Sequence, residues 1–134
     1  MREILFKAKR KDNGKWVIGY YQKRYDEIER ERHYIFLCES NIVWEYAEID
    51  KDTICQYTGL IDKNGNKIWE NDIVRKVDSN ALGYHRERIC TVSFDRLGYW
   101  KIMTTFGDGY WIAEFDREQL EVIGNIFDNA ELLQ

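Results

Sequence analysis

Asp62, Glu70 and Asp72 are the carboxylates whose spacing most invites a chemical reading. Two of them brought together would serve as general acid and base, or would hold a divalent cation. Their settings point elsewhere. Asp62 opens Asp62-Lys63-Asn64-Gly65, and Glu70-Asn71-Asp72 marks a change of direction before an apolar run. An Asp in such a place bonds its own backbone and sets the turn, so turn chemistry is favoured over catalysis. The two histidines, His33 and His85, belong to no regular ligand-spacing motif, whereas a zinc site takes four N, S or O ligands, often with a close pair among them. No nucleophile elbow, phosphate-cradling Gly-rich loop or dinucleotide fingerprint occurs. The expectation is a protein with no catalytic residue, no metal and no cofactor.

The cysteines Cys38, Cys55 and Cys90 are odd in number, far apart, and each set in an apolar strand-like run. A small secreted scaffold would carry an even, dense set, so these thiols read as buried apolar side chains of a cytoplasmic protein. The first uncharged run, Ile4-Leu5-Phe6, is too short for a signal peptide or a membrane span, and no membrane association is expected.

Binding leaves more to weigh. Lys7, Lys9, Arg10, Lys11 and Lys15 cluster around the first Asn-Gly turn, beside Trp16 and Tyr20, and form a candidate nucleic-acid surface. Arg75, Lys76, Arg86 and Arg88 would supply a second basic patch. Against this, Trp16, Ile18 and Tyr20 share one strand face and read as core. The chain also carries a net charge of −4, with 20 Lys/Arg against 24 Asp/Glu. Five Trp and nine Tyr are more rings than a small barrel buries completely, and exposed Tyr, Trp and Arg favour interfaces. Tyr21, Tyr25, Tyr84 and Tyr110 are the candidate interaction rings.

These residues must be positioned by strands. Ile4, Phe6 and Ala8 alternate with Lys7 and Lys9, Asn13-Gly14 follows, and Trp16–Tyr21 returns, a β-hairpin over residues 3–21. Residues 22–33 are polar and read as a solvated loop or irregular strand end. Further strands are expected at Tyr34–Cys38, Ile42–Ile49, Thr53–Tyr57, Ile73–Val77, Arg88–Phe94, Tyr99–Thr105 and Tyr110–Phe115. A second Asn-Gly turn lies between Leu60-Ile61 and Ile68-Trp69. Arg117–Leu120 and Asn129–Leu133 have room for one helical turn each, the second capped by Asp128 or Asn129.

Three stretches together resemble the YopX family, found mainly in bacteriophages and prophages of low-GC Gram-positive bacteria. They are Met1–Lys9 with Trp16 and Gly19; Gln56–Leu60, Asp62–Gly65 and Ile68–Val74; and Val122–Ile126 with Glu131-Leu132-Leu133. Within them Gly59, Asp62, Asn64, Gly65, Asp72, Gly124 and Asn125 read as structural. Asn71 stands where the family commonly has glycine, and Ala130 where it often has proline. Asn is among the best substitutes for Gly at positive φ, so that turn is expected to survive. The resemblance implies a mainly β fold with a small SH3-like barrel as its closest architecture, a phage setting, and no established activity or catalytic residues.

The reading is one domain over residues 1–134, with two packed lobes at about 1–59 and 60–134 as the variant. It is a mainly β, barrel-type fold with antiparallel hairpins and one or two short helical turns. The expected function is a non-catalytic protein-interaction and self-association module, a homo-oligomer with an unknown protein partner. The alternative is a nucleic-acid-binding barrel using the basic first hairpin.

Overall fold

The computed structural model describes residues 4–37, 45–79, 82–83, 85–107, 109–112 and 116–134, with the Ser79 side chain left out. The chain forms two compact units, Met1–Tyr57 and Thr58–Gln134. Both are built of antiparallel strands, so the mainly β expectation holds. The barrel does not: both sheets are open.

In the first unit the strands are β1 (Phe6–Lys9), β2 (Trp16–Tyr25), β3 (Glu31–Leu37), β4 (Glu45–Glu48) and the start of β5 (Cys55–Ile61), in the order β4-β3-β2-β1-β5. The polar stretch 22–33 is not a loop. β2 and β3 run through it as a ladder from Tyr20↔Phe36 to Tyr25↔Glu31. Its charges are accommodated because both strand ends are solvated, and only Asp26–Arg30 turns. There the Asp26 carboxylate accepts the Ile28 and Arg30 N–H groups at 3.0 and 2.9 Å. These bonds, the Arg30 amide foremost, hold its pKa down at about 2.

This sheet curls until Ile49, just past β4, meets Arg10, just past β1, in an isolated bridge. A single bridge is not a ladder, and closure stops there. The inner face carries Ala8, Ile35 and Ile49, with Phe6, Val17, Tyr21, Leu37 and Ile54 packed on them. Gly19 also lies on this face, and a Cβ there would run into the Phe36 carbonyl and meet Ile35 Cγ2 at 3.1 Å. The tight curl therefore depends on a residue with no side chain.

The second unit takes the end of β5, which pairs with β6 (Lys67–Trp69). Its five-stranded sheet has the order β10-β9-β8-β7-β11, formed by β7 (Asp72–Ser79), β8 (His85–Phe94), β9 (Trp100–Thr104), β10 (Gly109–Trp111) and β11 (Leu120–Asn125). Its core is Ile68, Val74, Cys90, Val92, Trp100, Ile102, Ile112 and Leu120. The two expected helical turns are 3-10 turns at Arg117–Gln119 and Ala130–Leu133. Asn129 stands at the N-cap position of the second, but its side chain makes no capping bond there. The Asn129 Oδ1 instead accepts the Asn125 N–H at 3.2 Å and occupies the space a Cβ on Gly124 would need, 2.5 Å away. Asn125 in turn accepts the Phe127 and Asp128 N–H groups.

The Asp62–Asn66 turn is the hub of this unit. Asp62 is fully buried. Its Oδ1 accepts the Asn64 and Asn66 N–H groups at 2.9 and 2.8 Å, and its Oδ2 accepts the Val122 N–H of β11 at 2.9 Å. Burial alone would raise this carboxyl's pKa, but the Val122, Asn66 and Asn64 amides outweigh burial and lower it. Asp72, also buried, accepts the Trp69 N–H at 2.8 Å, and Asn71 between them adopts φ 69. Gly59 and Gly65 adopt φ 87 and 82. The Asn71 backbone accepts from Ile126 and donates to Val92, tying the ends of β11 and β8 together.

Asp62→Asn should lower stability by about 2 kcal/mol at pH 7, because an amide NH2 then faces the Val122 N–H and leaves it buried without an acceptor. A carboxyl with a lowered folded pKa stabilises fully above its unfolded pKa, and that contribution fades as pH falls through the folded value. The gap between wild type and Asp62→Asn in urea midpoint should thus narrow from pH 7 to pH 3. A gap independent of pH would contradict the ionised role.

Candidate functional site

The exposed face of the first unit is built by strand register. The pairs Lys7↔Ile18 and Lys9↔Trp16 join β1 to β2, and Tyr20↔Phe36 with Gln22↔Tyr34 join β2 to β3. Phe36↔Tyr46 and Tyr34↔Glu48 reach β4. Directly opposed residues project to the same side. Tyr20, Phe36 and Tyr46 therefore form one row across three strands, with Ile18 and Trp16 beside it along β2. Ile18, Tyr20 and Tyr46 are 48, 51 and 63 % exposed.

This corrects the expectation that Trp16, Ile18 and Tyr20 are core. The alternate set, Val17, Gly19 and Tyr21, faces inward, because the close approach of β3 at Phe36 leaves no room for a side chain at position 19 and so fixes the phase of β2. Tyr21 is accordingly no free surface ring. It lies parallel to His33 at 5.9 Å, its hydroxyl 2.6 Å from His33 Nδ1, and packs on the core.

Cations sit on the outward rings. Lys7 Nζ lies 4.7 Å and Lys9 Nζ 5.5 Å from the Trp16 centroid, and the Arg24 guanidinium lies 5.4 Å from that of Phe36. Such contacts are electrostatic attractions of about 0.5–1 kcal/mol at exposed sites. Tyr46 meets Tyr34 edge-on and Phe36 at a tilt, both at 5.7 Å. Glu48, the carboxylate within these registers, is held by Arg32 at 3.1 Å and Lys11 at 3.3 Å.

The structure thus divides the five basic residues of the first hairpin. Lys7 and Lys9 join the face. Arg10 turns back on Asp12 at 2.8 Å, Lys11 is held by Glu48, and Lys15 lies exposed beyond the turn. Tyr25 is exposed on the opposite side of β2, with Lys23 Nζ 5.6 Å from its ring. Tyr84 lies outside the described residues, as does Cys38. Tyr110 is half-buried against the core of the second unit, its hydroxyl accepting from Arg88 and Lys76 4.0 Å from its ring. The second basic patch does not form as one surface. Lys76 is only 3 % exposed and bonds Asp78, while Arg75, one residue along β7, reaches Glu121 on the other side. Sequence reasoning missed Arg24, Phe36 and Tyr46, which only the β2–β3–β4 pairing brings to one face.

Groups that could do chemistry are engaged elsewhere. Cys55 and Cys90 are buried, and burial raises the pKa of the Cys90 thiol, which suppresses the thiolate a nucleophile needs. Among the described residues no three His, Cys, Asp or Glu side chains come together to hold a metal ion. No helix among them is long and apolar enough to cross a membrane. A cavity of about 310 Å³ opens between β8, β9 and the last 3-10 turn, lined by Arg86, Arg88, Phe106 and Leu132 among others.

Two open antiparallel sheets, the first with an aromatic, cation-bearing outer face, define a mainly β protein. The YopX protein family model matches residues 5–134, and the chain belongs to the YopX family. The crystal structure of protein EF1440 from Enterococcus faecalis is similar to it over 100 % of both chains, at 23 % identity and a TM-score of 0.52, a likeness of fold. No curated protein matches.

If the outer row serves binding and not folding, its removal should cost little. Tyr20→Ser and Tyr46→Ser should each lower stability by no more than about 1 kcal/mol, the scale of a cross-strand pair. Ile35→Ala on the inner face should cost about 2–5 kcal/mol. Urea midpoints check this, and comparable losses at all three positions would make the row structural.

Proposed function

We propose that this chain is a non-catalytic binding protein of phage or prophage origin, acting in the host cytoplasm and docking a macromolecular partner on the outer face of its first unit. The observation that carries this reading is the row Tyr20–Phe36–Tyr46 on the outward side of three paired strands, in which Tyr20 and Tyr46 are largely exposed and Phe36 half-buried between them. Contiguous exposed apolar surface of this kind marks interaction sites, and Tyr and Arg are favoured there. The phage setting rests on family membership, and the cytoplasmic one on the reduced, buried thiols expected from the sequence.

Capture by the tagged full chain from prophage-carrying cells tests it. The Tyr20→Ser/Tyr46→Ser variant, folded by circular dichroism, should lose the wild-type partners. An identical partner set would overturn the assignment to this face.

Self-association has its own support, at the second unit. β10 pairs with β9 at one end of its sheet, and Phe106 and Trp111 around it are 90 and 54 % exposed. A short edge with apolar neighbours is a route to strand pairing between copies. Light scattering should then give a mass above 16.2 kDa that falls on Phe106→Ser/Trp111→Ser. A strict monomer at high concentration would end this reading.

A further inference from the structure

Resting on that reading, we propose that the outer face of the first unit binds an unpaired nucleic-acid strand, its bases stacking on Tyr20, Phe36 and Tyr46 and its phosphates meeting Lys7, Lys9 and Arg24. Three features select this ligand over a protein surface or a duplex.

The first is the nature of the row. Rings on neighbouring strands, with Phe36 and Tyr46 5.7 Å apart, offer successive π-faces at a spacing that consecutive unstacked bases can meet. Every base has a π-face, so such a platform needs no sequence match. In a duplex those faces are already stacked, and a sheet face has no projection to enter a groove.

The second is the placement of charge. Lysine is depleted from protein-docking patches, yet here Lys7 and Lys9 lie over Trp16, with Arg24 over Phe36. A phosphate drawn to Lys7 or Lys9 is brought beside Trp16, next to Tyr20 along β2, and one drawn to Arg24 beside Phe36, within the row. Glu48, the carboxylate of this face, is already held by Arg32 and Lys11.

The third is the distribution of charge along the chain. Met1–Tyr57 holds 11 Lys/Arg and 11 Asp/Glu, a balance of zero. Thr58–Gln134 holds 9 against 13, a balance of −4, so the whole of the chain's net negative charge lies in the other unit. The acidic total is therefore not the charge balance of the unit that carries this face.

The test is fluorescence anisotropy of labelled 12-nucleotide single strands, DNA and RNA of mixed sequence, against the full chain and against a duplex of the same sequence. Single strands should bind at least tenfold tighter than duplex. About three phosphate contacts imply a salt slope near −2, a weakening of roughly fifteenfold between 50 and 200 mM salt. Tyr20→Ser and Tyr46→Ser should each weaken binding at least fivefold, from about 1–3 kcal/mol of stacking per base. Arg24→Glu should weaken it and flatten the salt slope by about 1 unit, while Tyr25→Ser, exposed on the other side of β2, should change nothing. No binding at 50 mM salt, or binding indifferent to the Tyr20, Tyr46 and Arg24 changes, overturns the inference. The broader reading survives that result if the capture experiment still yields a nuclease-resistant partner that the Tyr20→Ser/Tyr46→Ser variant loses. If that partner set is also unchanged, both fall together.

Discussion

The second unit depends on one buried carboxylate. Asp62 gathers the amides of Asn64 and Asn66 from its own turn and that of Val122 from 60 residues onward. A buried charge is tolerable only when its lone pairs are filled, and here backbone N–H groups fill them. The consequence extends along β11. With Val122 donating to the carboxylate and Leu120 accepting from the Lys63 N–H, two groups on the outer edge of this strand are already taken, which disfavours a ladder to another chain. The other side of β11 then pairs with β7, and the bulge between Val122 and Gly124 lets the strand finish against the Asn129 side chain. A carboxylate this committed has little left for substrate, which supports the structural reading of the Asp62–Asp72 stretch.

In the first unit the controlling constraint is space. Five strands curling until β1 and β4 nearly meet leave an interior that Ala8, Gly19 and Ala47 can share with Ile35 and Ile49. That side of β2 is taken by Val17, Gly19 and Tyr21, with Gly19 leaving room for the Phe36 carbonyl, and a strand offers only one other. The phase of β2 that lets the sheet curl therefore sets Trp16, Ile18 and Tyr20 on the outside. The outward row is a product of the packing, not an addition to it.

Much of this was legible in the chain. The Asn-Gly turns, the Asp62 and Asp72 turn roles and the positive φ at Asn71 each follow from the chemistry of one or two residues. The phase of β2 did not follow, although a local clue existed. Lys7 and Lys9 were recognisably the wet face of β1, and the hairpin register sets Lys9 opposite Trp16. Trp16 must then share the wet face, and the whole of β2 turns over with it. Hydrophobicity outvoted register. The ladder through residues 22–33 was illegible for another reason: solvated strand ends carry charges as readily as loops do. The joining of Phe36, Tyr46 and Arg24 to that face is long-range pairing, which leaves no mark on a single sequence.

What remains is to ask which side chains have capacity to spare. His33 is taken up by Tyr21 and Glu31, Asp62 and Asp72 by backbone amides, and Cys55 and Cys90 by burial. Each of these groups is committed to the fold. The π-faces of Tyr20 and Tyr46 are not consumed by burial. Lys7 and Lys9 lie over Trp16 and Arg24 over Phe36, attractions with which a phosphate can compete. A surface that presents rings and cations together suits a stacking, negatively charged ligand. That match is the physical ground on which the outer face is proposed as the working surface of this protein.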